Sequence, residues 1–285
     1  MRGNMKSRLM QWLTALALML SVNLAQAAIS CTISSSGFTA GYPVNSASSI
    51  ITQTSYSITC TRGLVTDSTT TSYSVKVNNG LQPTGQNNNA ASGSNKLRYD
   101  VYADSACGTQ WKGNTTIPTS TGTITMSGLV STTVTQNFWG CIGSGLSPAA
   151  GTYTDTVTMT PTYDLLVLGG SNTFPVTIVT PPTCTISSSP GNVAFSYTSF
   201  RTTAASASTT FGVTCSNSLP YTMAVSPASS TLVGISYSLS VPASSTGTGL
   251  QQTQTISGTA AAGQAGTCAT GTCSGTQATT LTITY

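Results

Sequence analysis

The sequence contains no histidine and no glutamate, and charged residues occupy 5% of its 285 positions, against about a quarter in an ordinary soluble domain. Without histidine there is no imidazole metal site and no Ser/His/Asp or Cys/His nucleophile pair. Without glutamate, acid–base work falls to five aspartates. Asp100 and Asp104, four residues apart, are the pair a glycosidase would need, but they carry no asymmetry that separates an acid from a base. We therefore expect no enzyme, no metal and no cofactor. The formal charge of +4 shrinks to +1 once Arg2, Lys6 and Arg8 of the leading segment are set aside, because six basic residues then face five acidic ones. So small a charge offers no footprint for nucleic acid or an anionic membrane.

What is present begins with an export signal over residues 1–27. Arg2, Lys6 and Arg8 form a positive start, Trp12 through Leu20 is apolar, and Ala25-Gln26-Ala27 is a small-x-small cleavage site, giving a mature start at Ala28. An uncleaved anchor is the alternative, although the apolar run is shorter than the roughly 20 residues of a span. Export permits disulfides, and there are eight cysteines: Cys31, Cys60, Cys107, Cys141, Cys184, Cys215, Cys268 and Cys273.

An internal repeat narrows their pairing. Cys31-Thr32-Ile33-Ser34-Ser35-Ser36 recurs letter for letter as Cys184-Thr185-Ile186-Ser187-Ser188-Ser189, and each copy is followed by a Thr-Cys, at Cys60 and at Cys215. Two copies of one domain follow. The simplest pairing is Cys31 with Cys60, Cys184 with Cys215, Cys107 with Cys141 and Cys268 with Cys273.

Segments such as Ser55–Thr59, Tyr73–Val77, Thr156–Thr160 and Leu281–Tyr285 alternate apolar residues with Ser or Thr, the period of half-buried strands. Asn78-Asn79-Gly80 and Gln86 through Ser94 read as turns. The expected fold is all-β: two immunoglobulin-like antiparallel β-sandwich domains.

These residues resemble the spore coat protein U domain family, the subunit fold of archaic Csu-type chaperone-usher pili. The resemblance rests on the Cys-Thr-Ile-Ser opening, the Thr-Cys ending of the second strand, the Tyr73 and Leu219-Pro220-Tyr221 strands, Leu97 through Tyr102 with Asp104 and Trp111 downstream, and the closing strands Tyr153–Thr158 and Leu281–Tyr285. It implies a sandwich that lacks its last strand and takes one from a neighbouring subunit by β-strand addition. A periplasmic chaperone and an outer-membrane usher are the other implied partners.

A donor strand filling about five pockets needs about ten residues, and only Ala28, Ile29 and Ser30 precede Cys31. No free donor is expected. Phe174, Val176 and Ile178 alternate before Cys184 and read as a built-in last strand of the first domain, an edge or irregular at Pro175. The expected division is a first domain over 28–171, strand and linker over 172–182, and a second, incomplete domain over 183–285. A chain that accepts a strand without giving one is a tip subunit, at the cell surface. The alternative is a free two-domain secreted protein.

Loops at one pole of the first domain, Arg62–Ser72, Asp104–Ser131 and Asp164–Asn172, hold Leu64, Val65, Trp111, Met126, Leu129, Val130, Leu165, Leu166, Val167 and Leu168. Apolar residues in such loops predict a surface-binding patch for an abiotic or host surface. For Leu165–Leu168 the alternative is the start of the built-in strand, and for Trp111 it is the core. A competing binding reading is a lectin, with Tyr42, Tyr73, Trp111 and Trp139 as a stacking platform and Asn87–Asn89 as polar contacts. An ordinary fibre or coat subunit is a further reading.

Overall fold

The computed structural model describes residues 29–111, 120–164, 167–269 and 271–285. The expected signal segment lies outside them. The described residues are all-β, with no helix and none long and apolar enough to cross a membrane.

The first half contains β1 (Ile29–Ser35), β2 (Phe38–Gly41), β3 (Ile50–Thr61), β4 (Thr70–Val77), β5 (Asn88–Ser92), β6 (Asn95–Tyr102), β7 (Ser120–Thr125), β8 (Thr132–Ile142), β9 (Gly151–Tyr163), β10 (Val167–Gly169) and β11 (Asn172–Thr180). They form one continuous sheet in the order β10-β1-β3-β8-β6-β5-β9-β11-β2, with β4 pairing both β7 and β9. The sheet curls so that β1, β3 and β8 face β4, β9 and β11 across a core. Alternation supplies that core. In β9, Tyr153, Val157 and Met159 are buried on one face while the threonines between them point outward. The buried row includes Asp155, which accepts the Tyr99 hydroxyl at 2.7 Å and the Leu81 N–H at 2.8 Å. Burial, reinforced by the Asp155 carboxylate, pushes the Tyr99 phenol well above its ordinary pKa.

Two spans read as turn or loop are strands. Asn88–Ser92 is β5, paired with β6, and the Asp104–Ser131 span contains β7, paired with β4.

The second half contains β12 (Cys184–Ser188), β13 (Ala205–Cys215), β14 (Pro220–Ser226), β15 (Ser229–Leu232), β16 (Ile235–Ser240), β17 (Ser244–Thr246), β18 (Gln251–Ala260) and β19 (Thr280–Thr284). Five form the sheet β12-β13-β18-β16-β15 and three form β17-β14-β19. Every antiparallel pairing here repeats one in the first half. The pairs β12–β13, β13–β18, β16–β18 and β15–β16 correspond to β1–β3, β3–β8, β6–β8 and β5–β6. Likewise β14–β17 and β14–β19 correspond to β4–β7 and β4–β9. The disulfides follow the same duplication. Cys31–Cys60 and Cys184–Cys215 each join directly paired residues with Cα atoms 4.1 Å apart, and Cys107–Cys141 and Cys268–Cys273 complete the set.

Among the described residues, β2, β10 and β11 have no second-half strand to match. In the first half β11 lies between β9, antiparallel, and β2, parallel, and its Phe174, Val176 and Ile178 are fully buried. It is an edge only up to Pro175. From Val176 onward it is an inner strand, because β2 joins it there, so the missing proline N–H falls where no ladder is formed on that side. Where β11 is present, Phe38, Ala40 and Tyr42 of the flanking segment are buried. The alternating Val193, Phe195 and Tyr197 of the second half form no strand and stay half-buried. The identical motif reports the same contrast, with Ile33 3% exposed and Ile186 43%.

This contrast predicts unequal costs for one substitution made twice. Ile33→Ala should lower the unfolding free energy of the first half by about 2–5 kcal/mol. Ile186→Ala in the free chain should cost less than about 1 kcal/mol. Denaturant unfolding, followed for each half, checks both.

Candidate functional site

The pole of the first half is built from the loops after β3, β7 and β9. Strand register brings them together: Ser30 of β1 lies between Leu168 of β10 and Thr61 of β3, and the Thr61 hydroxyl meets that of Ser131 at 2.7 Å. The loop after β3 turns at Leu64–Asp67, where the Asp67 carboxylate accepts the Leu64 N–H at 2.6 Å and the Asp67 N–H reaches the Leu64 carbonyl. The loop after β9 is held by Asp164, whose carboxylate accepts the Ser72 N–H at 2.7 Å.

Five apolar side chains stand out from this pole: Leu64, Val65, Leu129, Val130 and Leu168, from 49% exposed at Leu129 to 71% at Val65. Val167 is half-buried against the core, and Leu165 and Leu166 lie outside the described residues. The segment does not begin the built-in strand. Residues 167–169 are β10, parallel to β1.

Trp111 and Met126 are not surface residues. The Trp111 indole sits between Tyr56 and Phe138, with ring centroids at 5.6 and 5.4 Å, and its Nε1–H donates to the Val75 carbonyl at 3.0 Å. Pairing of the Trp111 N–H with the Val101 carbonyl draws the chain inward there. Met126 continues the inward row begun by Ile124 in β7, and its N–H bonds the Thr69 carbonyl. The alternation Thr123-Ile124-Thr125-Met126 carried that signal.

The stacking platform is also absent, since Tyr42, Tyr73 and Trp111 are core residues and Asn88 and Asn89 are buried. Asp100 and Asp104 serve the fold. Asp100 pairs with Arg98 at 3.1 Å and accepts the Asn88 N–H. Asp104 accepts backbone N–H groups of Gly108, Thr109 and Ala106, which hold its carboxyl below the usual range. Among the described residues no cluster of His, Cys, Asp and Glu could hold a metal.

Sequence reading passed over Arg62. It is 6% exposed, and its guanidinium donates to the carbonyls of Val65 at 2.5 Å, Asp67 at 2.6 Å and Gly128 at 3.3 Å. A lone arginine opening a loop carries no sign of burial.

The second feature lies in the other half. The outer side of β19 bears no strand among the described residues, and Leu281 and Ile283 of β19 itself are half-buried. The halves touch at the end away from the apolar pole: the Asn45 side-chain amide donates to the Gly249 carbonyl at 2.5 Å, and Ala149 bridges Asn217. The length of β11, nine residues or about 30 Å, separates that contact from the pole.

A family model described as the Spore Coat Protein U domain matches residues 16–160. No curated protein matches the chain. Among solved structures, it is similar to the CsuC–CsuE chaperone–tip adhesion subunit pre-assembly complex of archaic chaperone-usher Csu pili of Acinetobacter baumannii, with 15% identity, 89% of this chain and 99% of that one covered, and a TM-score of 0.41. It is also similar to the CupB6 tip adhesin of Pseudomonas aeruginosa, with 9% identity, 90% and 95% covered, and a TM-score of 0.41.

The division between core and pole makes opposite predictions for residues that look alike in sequence. Trp111→Ala should destabilise the first half by about 3–5 kcal/mol and Met126→Ala by about 2–5 kcal/mol. Leu64→Ser, Val65→Ser, Leu129→Ser and Val130→Ser should each stay within about 0.5 kcal/mol. Thermal unfolding of the full chain separates the two groups.

Proposed function

The chain belongs to the spore coat protein U domain family, and from that membership we propose that it is the tip adhesin of a chaperone-usher pilus. The observation that carries the reading is the unequal completion of two equivalent halves. The first half fills the place between β9 and β2 with its own β11, whereas the matching place beside β19 is unfilled among the described residues. An uncovered edge above half-buried apolar residues is an aggregation hazard for a free protein, and it suits strand addition from a neighbouring subunit.

On this reading residues 1–27 direct export, 28–171 form the tip domain, 172–182 supply its last strand and the linker, and 183–285 form the domain that joins the fibre. A periplasmic chaperone occupies the open edge until an outer-membrane usher exchanges it for the next subunit's donor strand, and the assembled protein stands at the cell surface. The exposed side chains at the pole, which faces away from the second half, meet an abiotic or host surface. Each Leu or Val buried there contributes about 1.5–3 kcal/mol, and many fibres acting together multiply the effect. The lectin reading loses its platform to the core.

Two measurements test the proposal. Replacing Leu64, Val65, Leu129 and Val130 together by Ser should lower attachment of piliated cells to polystyrene by about tenfold or more while leaving the amount of assembled fibre unchanged, and sugars should not compete. Unchanged attachment sinks the adhesive role. Separately, a peptide of about ten residues alternating Val or Ile with Thr should raise the unfolding free energy of the second half by about 2.7 kcal/mol at a hundredfold excess over its Kd. No shift at any concentration removes strand addition.

A further inference from the structure

Burying a guanidinium is costly unless its charge is compensated. Among the described residues the one ion pair is Arg98–Asp100, so the Arg62 charge is met by carbonyl dipoles at its two terminal nitrogens, while Nε has no partner. Asp67, though close in sequence, turns its carboxylate to the Leu64 N–H instead. The three carbonyls that Arg62 holds belong to both apolar loops, Val65 and Asp67 on one and Gly128 on the other. Gly128 has φ +64°, a backbone setting that suits glycine and lets its carbonyl turn inward.

With their carbonyls drawn in, the loops present Leu64, Val65, Leu129 and Val130 to solvent. Left to themselves, such side chains would collapse on one another or on the end of the sandwich, because burial of apolar area is favourable and non-directional. We propose that Arg62 is the positioning residue of the adhesive pole: one buried fork fixes two loops so that their apolar side chains remain outward and ordered before any surface is met. This rests on the adhesive reading given above and adds what keeps the pole in its binding form. Ordering in advance removes an entropy cost from each contact.

The test compares Arg62→Met, which keeps the apolar stem, Arg62→Lys, which keeps the charge without the planar fork, and the fourfold Ser variant, all as full chains in assembled fibres. Arg62→Met and Arg62→Lys should both reduce attachment to polystyrene by about tenfold, since re-ordering even two side chains costs that much at each contact. Hydrogen exchange should quicken at residues 63–69 and 127–131 while the amides of β3 and β8 remain as protected as before. Full attachment by either Arg62 variant, while the fourfold variant fails to attach, overturns the proposal and spares the adhesive reading. Exchange that quickens throughout the first half, or loss of secretion, also overturns it, because Arg62 would then hold the domain and not its pole. If the fourfold variant attaches normally, the adhesive reading falls, and unchanged loop exchange in Arg62→Met would remove the clamp as well.

Discussion

The structure depends on whether the seam beside β9 or its counterpart β19 is filled. A sandwich strand buries one face only if both sides of its row are covered, and among the described residues the same eight-strand arrangement occurs twice, with the seam closed once and open once. Closure by β11 brings Phe38, Ala40 and Tyr42 fully inside, and it lies along Tyr153, Val157 and Met159 of β9. Without it, Val193, Phe195, Tyr197, Leu281 and Ile283 keep the alternation but remain half in water. Equal sequence therefore does not produce equal burial, as Ile33 and Ile186 demonstrate within one molecule.

With so few charges, the chain meets its polar obligations by other means. The outward face of β3 and β8 carries hydroxyl pairs, Ser57 with Thr135 at 2.9 Å and Thr59 with Thr133 at 2.8 Å, directly opposite each other in the ladder. Such cross-strand pairs help keep register where charged pairs would otherwise do so. Among the described residues each charged group that is buried has named partners: Asp155 has Tyr99 and Leu81, Asp100 has Arg98 and Gln110, and Arg62 has three carbonyls.

Much of this was legible in the residues themselves. Period-2 alternation located the strands around Ile58, Val75, Val157 and Ile283, and the duplicated Cys-Thr-Ile-Ser motif gave the pairing of Cys31 and Cys184. Strand β11 was legible because Phe174, Val176 and Ile178 alternate along it. Strands that are short or polar were lost: β5 is Asn-Asn-Ala-Ala-Ser, a turn composition, and its asparagines are buried only because Asp100, Gln82 and Thr84 supply partners from elsewhere. Trp111 and Met126 were misplaced for a related reason. A loop boundary drawn by composition hides inward rows that only long-range pairing, here with Val101 and Thr69, reveals. Arg62 was illegible because its partners are backbone carbonyls, which have no letter in a sequence.

The strand that closes the first half is also the strand through which the two halves are joined, since β11 ends at Thr180 and β12 begins at Cys184. Tension along the chain would therefore enter the first half along the axis of β11, with β9 beside it over the whole of its length and β2 over its latter part. Force in that direction strains the ladder bonds in shear, all together, whereas a pull across the sheet would open them one after another. Beyond Thr180, the Cys184–Cys215 bond passes the load directly from the first strand of the second half into β13. The join is thus arranged as a mechanical coupling, in which a pull on either half is shared among many ladder bonds at once.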